Sequence, residues 1–210
     1  AVARVPVDDL ARLRRDAGTF SFEGVMRSGV GAGTFTFALN PTFADDLAKR
    51  GFSRPTLQEQ YELARADIGF GFLDELTKQG YAKPRTDALL RAAQHGVHFT
   101  YLQEMGALGY RLGSLDALVT LRGHGVSPSY IREMAQYGFK GLTADELRNA
   151  RDHGVGPDYV RGMRDLGYGS LTLKELIGAR GHGVGPEYIR GLNEAGYRKL
   201  SLEELIRTRD

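Results

Sequence analysis

A strictly periodic sequence repeat constrains the fold of this chain more than any other feature. An aromatic residue recurs at one fixed interval without an insertion, at Phe43, Phe72, Tyr101, Tyr130, Tyr159 and Tyr188, so that successive residue numbers differ by 29. Four residues after each aromatic comes a leucine or methionine, and eight after it comes a glycine followed by a second aromatic. A fixed period of this length is typical of stacked supersecondary units. The sequence therefore predicts an array of about six repeats over residues 40–210.

The first half of each repeat predicts a helix with defined ends. A cap residue followed by proline begins it, at Asn40-Pro41, Ser127-Pro128, Gly156-Pro157 and Gly185-Pro186. The helix ends at the recurring glycine, which can adopt the left-handed conformation of a C-terminal cap. These structural cap glycines are Gly51, Gly80, Gly109, Gly138, Gly167 and Gly196.

The second half predicts another helix, which begins at a capping box. A hydroxyl residue precedes a glutamate by three positions in four repeats: Thr56 and Glu59, Thr143 and Glu146, Thr172 and Glu175, Ser201 and Glu204. Ser114 keeps only the hydroxyl, and the repeat at Arg85 has neither group. A histidine–glycine–valine string ends this helix, so we expect structural caps at His95 and Gly96, His124 and Gly125, His153 and Gly154, His182 and Gly183.

One such hairpin cannot bury its apolar positions alone, whereas stacked neighbours can. Leucines recur at one position of the second helix, at Leu89, Leu118, Leu147, Leu176 and Leu205. They predict a continuous core along the stack. The fold class that we predict is mainly α: an α-solenoid of helix–turn–helix repeats that start near residues 43, 72, 101, 130, 159 and 188.

Residues 1–39 fall outside the repeat and predict a separate cap. Val7 to Ala17 suits a short helix, and two alternating segments, 19–22 and 34–37, predict strands of a β-hairpin. The segment 28–33 between them is rich in glycine and predicts a flexible turn. The phenylalanine face of the hairpin, Phe20, Phe22, Phe35 and Phe37, is expected to cover the first repeat.

The other end of the array stops in mid-repeat. Residues 201–210 match the first part of the preceding second helix, from Thr172 to Gly181. We expect this chain to be a segment of a longer protein, because a solenoid needs a polar terminal cap. The alternative is that the last half-repeat serves as its own cap.

Composition excludes several classes of function. The chain has no cysteine, which excludes disulfides, thiolate catalysis and cysteine-based zinc sites. No apolar run approaches the ~18–20 residues of a membrane helix, so we expect no membrane insertion of this segment. The formal charge of +2 is too balanced to indicate nucleic-acid binding. No singular set of catalytic residues stands out from the repeat, so we predict no enzyme activity, no cofactor and no metal site.

The histidines offer an alternative to that last prediction. Four of the five occupy one repeat position at a helix C-terminus, where an imidazole can bond to unpaired carbonyls and interact favourably with the helix dipole. His95 and His98 are three residues apart and resemble a metal-ligand pair. Gly96 ends the helix between them, however, which favours the structural role.

Two sets of recurring arginines are the candidate binding residues. The first-helix arginines are Arg132, Arg161 and Arg190, and the second-helix arginines are Arg122, Arg151, Arg180 and Arg209. Such rows suit an acidic peptide, a phosphate backbone or a lipid headgroup, and the face of the first-helix arginines is the preferred one for a protein or peptide partner. The alternative is that both sets pair with neighbouring acids and solvate the surface; these acids are Glu133, Asp152, Asp158, Glu175 and Glu187.

Two strings of the repeat resemble a known family. Residues 153–161 (HGVGPDYVR) and 171–177 (LTLKELI) resemble repeats that follow the membrane region in bacterial proteins related to the BlaR1/M56 family of membrane metallopeptidases. The phenylalanine-rich hairpin is similar to the segment that introduces those repeats. The resemblance covers residues 19–210 and implies an extracytoplasmic, periplasmic location. The family's His-Glu-x-x-His zinc motif is absent, so no peptidase activity carries over.

These observations lead to one functional hypothesis and two alternatives. The hypothesis is a non-catalytic repeat module that binds a protein or peptide, as the soluble part of a bacterial envelope protein of the sensor type. The first alternative is a structural stalk, and the second is a domain that senses a metal or a small ligand. A cytoplasmic location is the alternative to the extracytoplasmic one.

Overall fold

The structure is a computed structural model that describes residues 12–27 and 30–209. This part of the chain is mainly helical, with a small antiparallel sheet before the helices. The strands are β1 (Arg12–Arg15), β2 (Gly18–Arg27) and β3 (Val30–Leu39). The first helices of the repeats are α1 (Phe43–Lys49), α3 (Phe70–Lys78), α5 (Phe99–Ala107), α7 (Pro128–Gln136), α9 (Pro157–Asp165) and α11 (Pro186–Glu194). The second helices are α2 (Leu57–Arg65), α4 (Thr86–Gln94), α6 (Leu115–Gly123), α8 (Ala144–Asp152), α10 (Leu173–Gly181) and α12 (Leu202–Arg207).

The helix starts keep the register of the sequence repeat, which confirms the predicted pairs of helices. The second helices begin at one constant interval along the whole array, and the first helices do so from α3 onward. All four predicted capping boxes are present, with hydroxyl oxygen and glutamate each accepting a backbone N–H. Ser114 accepts from the Ala117 N–H at 3.2 Å, and Arg85 makes no side-chain cap bond.

Helix α1 departs from the prediction, because it begins at Phe43 rather than at Pro41. The cause is Asn40, which the sheet holds in place. Its N–H donates to Ala17 O at 3.0 Å and its side-chain amide donates to Asp16 O at 2.8 Å. The Asn40 side-chain oxygen accepts from the Thr42 N–H, so the chain turns once before the helix starts.

Helices of both kinds end in a Schellman motif, in which two N–H groups beyond the helix bond back into its last turn. After α8, the Gly154 N–H donates to Arg151 O at 2.9 Å and the Val155 N–H donates to Ala150 O at 2.8 Å. Gly154 has a φ of +68°, and the cap glycines of both sets share such positive values. Asp67 takes the same conformation, at φ +57°, where later repeats have glycine. An ion pair at 2.8 Å joins it to Arg15 of β1.

The core follows the repeat positions. The leucine row is at most 2% exposed, and the valines of the histidine–glycine–valine strings are fully buried. Helices of the same kind pack on one another: α2 on α4 and α3 on α5, and, further along, α7 on α9, α8 on α10 and α9 on α11. Contacts divide the chain into two compact units, Ala1–Val119 and Thr120–Asp210. The first unit contains the sheet together with α1–α5.

The sheet corrects two predictions for the N-terminal region. It has three strands in the order β1-β2-β3, rather than a hairpin and a helix. Arg12, Leu13 and Arg14 alternate as a strand does, and Leu13 lies opposite Phe20 of β2. Residues 7–11 of the predicted helix lie outside the described residues. The predicted turn at 28–33 was also too long, because residues 30–33 belong to β3, where Gly33 lies opposite Gly24.

Gln60 fixes the sheet to the first repeat. It occupies the repeat position of the buried leucine row and is itself only 4% exposed. Its amide donates to Ala17 O at 2.8 Å and to Asn40 O at 2.7 Å, which satisfies both carbonyls where the strands end. The Phe20 and Phe37 rings contact Tyr61 of α2 at 5.9 and 5.2 Å between centroids.

The phenylalanine face covers the first repeat only in part. Phe20 is buried, whereas Phe22 and Phe35 are 42% and 51% exposed. Phe22 and Phe35 pair with each other, and they are farther than Phe20 and Phe37 from the end of the two strands at which Gly18 pairs with Leu39. This part of the apolar face is not covered by α2. Within the described residues, no helix has the length and apolar character that crossing a membrane requires.

The left-handed glycines lead to a test of the helix ends. Gly167, after α9, has a φ of +98°, and a β-carbon there would meet nothing within 4 Å. Gly167→Ala should therefore lower the free energy of unfolding by about 1–2 kcal/mol through backbone conformation alone. Gly178 lies within α10 and also has open space around it. Gly178→Ala should raise the same free energy by about 0.5–1 kcal/mol, because alanine favours the helix.

Urea denaturation of the two variants, followed by circular dichroism, measures both changes. Opposite signs are expected. A Gly167→Ala variant as stable as the unsubstituted chain would contradict the left-handed helix end.

Candidate functional site

In each of the last three repeats, an arginine near or just beyond the end of the second helix lies over a tyrosine ring. The Arg151 guanidinium carbon is 4.8 Å from the centroid of the Tyr130 ring. Arg180 lies over Tyr159 at 5.1 Å and Arg209 over Tyr188 at 4.9 Å. All three arginines are exposed. We call these pairs the Arg–Tyr stacks; in each, an exposed cation is held by a ring from the first helix of its own repeat.

Burial and hydrogen bonds of their hydroxyl groups hold the tyrosine rings in place. Tyr130 and Tyr159 are only 4% and 7% exposed. Their hydroxyls donate to the carbonyls of Val155 and Val184, both at 2.9 Å. These carbonyls belong to the turn that follows the second helix, so the tyrosine also ties its helix to that turn. The Tyr188 hydroxyl instead donates to Thr208 Oγ1 at 2.9 Å.

Burial changes the acidity of these phenols. It raises the pKa of Tyr130 to about 12, and the Arg151 guanidinium opposes the rise. Burial likewise raises the pKa of Tyr159 to about 12, against the opposing charge of Arg180. Both hydroxyls therefore stay protonated and continue to donate their hydrogen bonds through neutral pH.

Each arginine also crosses the turn of the preceding repeat. A β-carbon added at Gly125 would lie 2.8 Å from Arg151 Nη2, and one at Gly183 would lie 3.1 Å from Arg209 Nε. The corresponding distance from Gly154 to Arg180 Nε is 3.4 Å. These glycines therefore have two roles, because they end a helix and leave room for the next arginine.

The stacked arginines differ from the first-helix arginines in their charged neighbours. Among the residues that the structure describes, no carboxylate lies within 4.0 Å of the Arg151, Arg180 or Arg209 guanidinium. On α9, by contrast, Arg161 pairs with Asp158 at 2.6 Å. Arg190 pairs with Glu187 in the same way on α11. The three stacked arginines, unlike Arg161 and Arg190, therefore present guanidinium groups without a carboxylate neighbour among the described residues.

The remaining predicted binding residues and acids lie as follows. Arg132 is exposed on α7, and Arg122, near the end of α6, is half-buried at the repeat position of the stacked arginines. Of the acids expected to pair with arginines, Asp158 and Glu187 do so. Glu175 instead accepts the Thr172 N–H in its capping box, at 2.8 Å.

The histidines act at the helix ends, as expected, with some variation. His95, His153 and His182 are the C-terminal cap residues of α4, α8 and α10. The His153 Nδ1 atom lies 2.9 Å from Asn149 O, one turn earlier in α8. His124 instead lies 2.5 Å from Asp152 Oδ1, across an open surface depression that Asp145 and Arg148 also line. His98 is the cap residue that precedes α5. The described residues contain no group of three or more His, Asp or Glu side chains that could hold a metal ion.

Sequence reasoning identified the arginines as candidate binding residues but did not identify the tyrosines beneath them. A signal was available. Tyrosine and arginine occur together at an offset of 21 residues in the last four repeats, while the first two have Phe43 with Ala64 and Phe72 with Ala93. Two positions that change together between repeats indicate a contact.

Comparisons with protein-family models, with curated proteins and with solved structures found no match to this chain.

The buried phenols lead to a prediction of pH dependence. Because the folded pKa of Tyr130 and Tyr159, about 12, exceeds the ordinary value of 10.0, the unfolded chain loses these protons first. The free energy of unfolding that they contribute is complete below about pH 10 and is lost as the pH rises toward about 12. Urea denaturation at several alkaline pH values should show this decline.

The Tyr130→Phe/Tyr159→Phe variant isolates the effect. It should be less stable at neutral pH, because two hydrogen bonds are lost, but its stability should fall less steeply above about pH 10. Equal slopes for both proteins would contradict the assignment.

Proposed function

We propose that this chain is a non-catalytic α-solenoid module that binds an acidic segment of a protein partner along the Arg–Tyr stacks. The observation that carries the proposal is the set of exposed guanidinium groups at Arg151, Arg180 and Arg209, which have no carboxylate neighbour within the described part of the chain. They recur at one position in successive repeats. A binding function on such an array is favoured over catalysis because the groups are repeated rather than singular.

The helix register supports the solenoid part of the proposal. Pairs of short helices recur at the interval of the sequence repeat, and helices of the same kind pack on one another in each compact unit. The buried leucine row runs through the same position of α4, α6, α8, α10 and α12. Stacking of this kind turns a residue that recurs once in each repeat into a row on the surface.

The chemistry of the stacks favours carboxylates as ligands. A guanidinium is planar, and one packed over a ring keeps its in-plane N–H groups available for bidentate bonds to a carboxylate. The ring and the glycine beneath already restrict the arginine, so less side-chain entropy is lost when a partner binds. Arg161 and Arg190 already pair with a carboxylate one turn away, so each must release that carboxylate before it can bind one from a partner.

The location and the parent protein stay predictions from the sequence. An extracytoplasmic location in a bacterial envelope protein rests on the resemblance of the repeat strings alone. The stalk alternative uses the same solenoid without a partner on the stacks, so a direct binding measurement separates the two.

A labelled glutamate-rich peptide tests the proposed surface by fluorescence anisotropy. The double variant Arg151→Gln/Arg180→Gln should weaken binding about tenfold or more, because two charge-assisted contacts are lost. The matched control is Arg161→Gln/Arg190→Gln, which removes the same charge from the first helices. The control should bind within about twofold of the unsubstituted chain.

Circular dichroism and the Tm of each variant show that both remain folded. If both double variants bind the peptide equally weakly, net charge alone accounts for binding, and the proposed surface is contradicted. No binding by the unsubstituted chain at low salt would favour the stalk.

A further inference from the structure

The Arg–Tyr stacks repeat with one constant geometric step. Each stacked arginine follows its tyrosine by 21 residues and the glycine beneath it by 26. The same atoms meet in each case, with guanidinium carbon over ring and a guanidinium nitrogen near the glycine. All three stacks lie in the unit Thr120–Asp210, so one step relates each stack to the next.

The packing of the helices sets the length of that step. Arg151 and Arg180 occupy equivalent positions on α8 and α10, which pack directly on each other. Packed helices lie about 8–10 Å apart, so successive guanidinium groups at equivalent positions are expected to be separated by about 8–10 Å. If the same step is repeated to Arg209, the three stacks span about 16–20 Å.

Few backbone conformations place side chains at this interval on one side. In a β-strand, side chains on one face are about 6.8 Å or 13.5 Å apart, two or four residues along, and neither distance fits. A polyproline II segment rises about 3.1 Å per residue with three residues per turn, which places every third side chain on one side at about 9.3 Å. The match is to this conformation.

We infer that the partner segment is extended in the polyproline II conformation and carries a carboxylate at every third residue. This inference rests on the proposed function and adds the spacing and conformation of the ligand. Three carboxylates then meet Arg151, Arg180 and Arg209 in turn. An α-helix matches the step only with acids seven residues apart, at about 10.5 Å, and its body is about 10–12 Å wide. A single row of exposed stacks suits the narrower extended chain.

The spacing is tested by binding of labelled peptides to the whole chain; all have equal length and equal net charge, and all but a helical control have equal proline content. The matching peptide has glutamate at its first, fourth and seventh positions. The controls have glutamates two or four residues apart, and a further peptide is helical with acids seven apart. The matching peptide should bind at least about fivefold more tightly than each control. The variant Arg151→Gln/Arg180→Gln/Arg209→Gln should abolish this difference.

A double-mutant cycle tests which arginine meets which carboxylate. Arg180→Gln should strongly weaken binding of the matching peptide. It should have little effect on binding of a peptide whose central glutamate is replaced by glutamine. The Arg161→Gln variant is the control and should show no coupling to that glutamate. Coupling to Arg180 alone is the result expected for a ligand in this register.

The outcomes separate the spacing from the proposed function. Equal affinities for all acidic peptides would overturn the spacing and leave the proposed function standing. Tighter binding of the helical peptide would overturn the extended conformation. No binding by any peptide, or preference for a single-stranded oligonucleotide of equal charge, would overturn the proposed function itself.

Discussion

The left-handed residue that ends each helix from α1 to α11 is the constraint on which the rest of the structure depends. Helices as short as these are not stable alone, so their ends must be satisfied and the chain direction changed within a few residues. The Schellman motif does both, because a positive φ at Gly154 and its equivalents returns two N–H groups to the last turn. The same reversal brings the buried valine under the next helix, and the constant period of the array follows from repeating it.

The first repeat shows how such an array is joined to a different fold. At the position of the leucine row it has Gln60, which binds two strand-end carbonyls that would otherwise be buried without partners. Asp67 takes the left-handed conformation in place of glycine and pairs with Arg15 of β1. The Asp16 carboxylate accepts the Phe70 N–H at the start of α3, at 2.7 Å. Polar residues replace the repeat pattern where the sheet docks.

The Arg–Tyr stacks show how a packing position can also serve a surface. Phenylalanine fills the same site in the first two repeats, so the ring is needed for the core and the hydroxyl is an addition. The hydroxyl donates to a turn carbonyl. The face of the ring holds the guanidinium, which would otherwise move freely at the end of a flexible side chain. A rigid core thus orders charges on the surface, which favours recognition of a ligand with matching spacing.

The sequence by itself determined the helices, their register and their ends, because caps, glycines and apolar spacing act within a few residues of one another. It failed at β1, where the alternation of Arg12, Leu13 and Arg14 is too short to distinguish a strand from a helix without its partner Phe20. It also placed the arginines in rows without showing which ones are neutralised. The pairing of Arg161 with Asp158, three residues away on one helix, was among the sequence expectations. Only the tertiary structure decided that Arg151 lies over Tyr130, because the stack joins two different helices that are distant in the sequence.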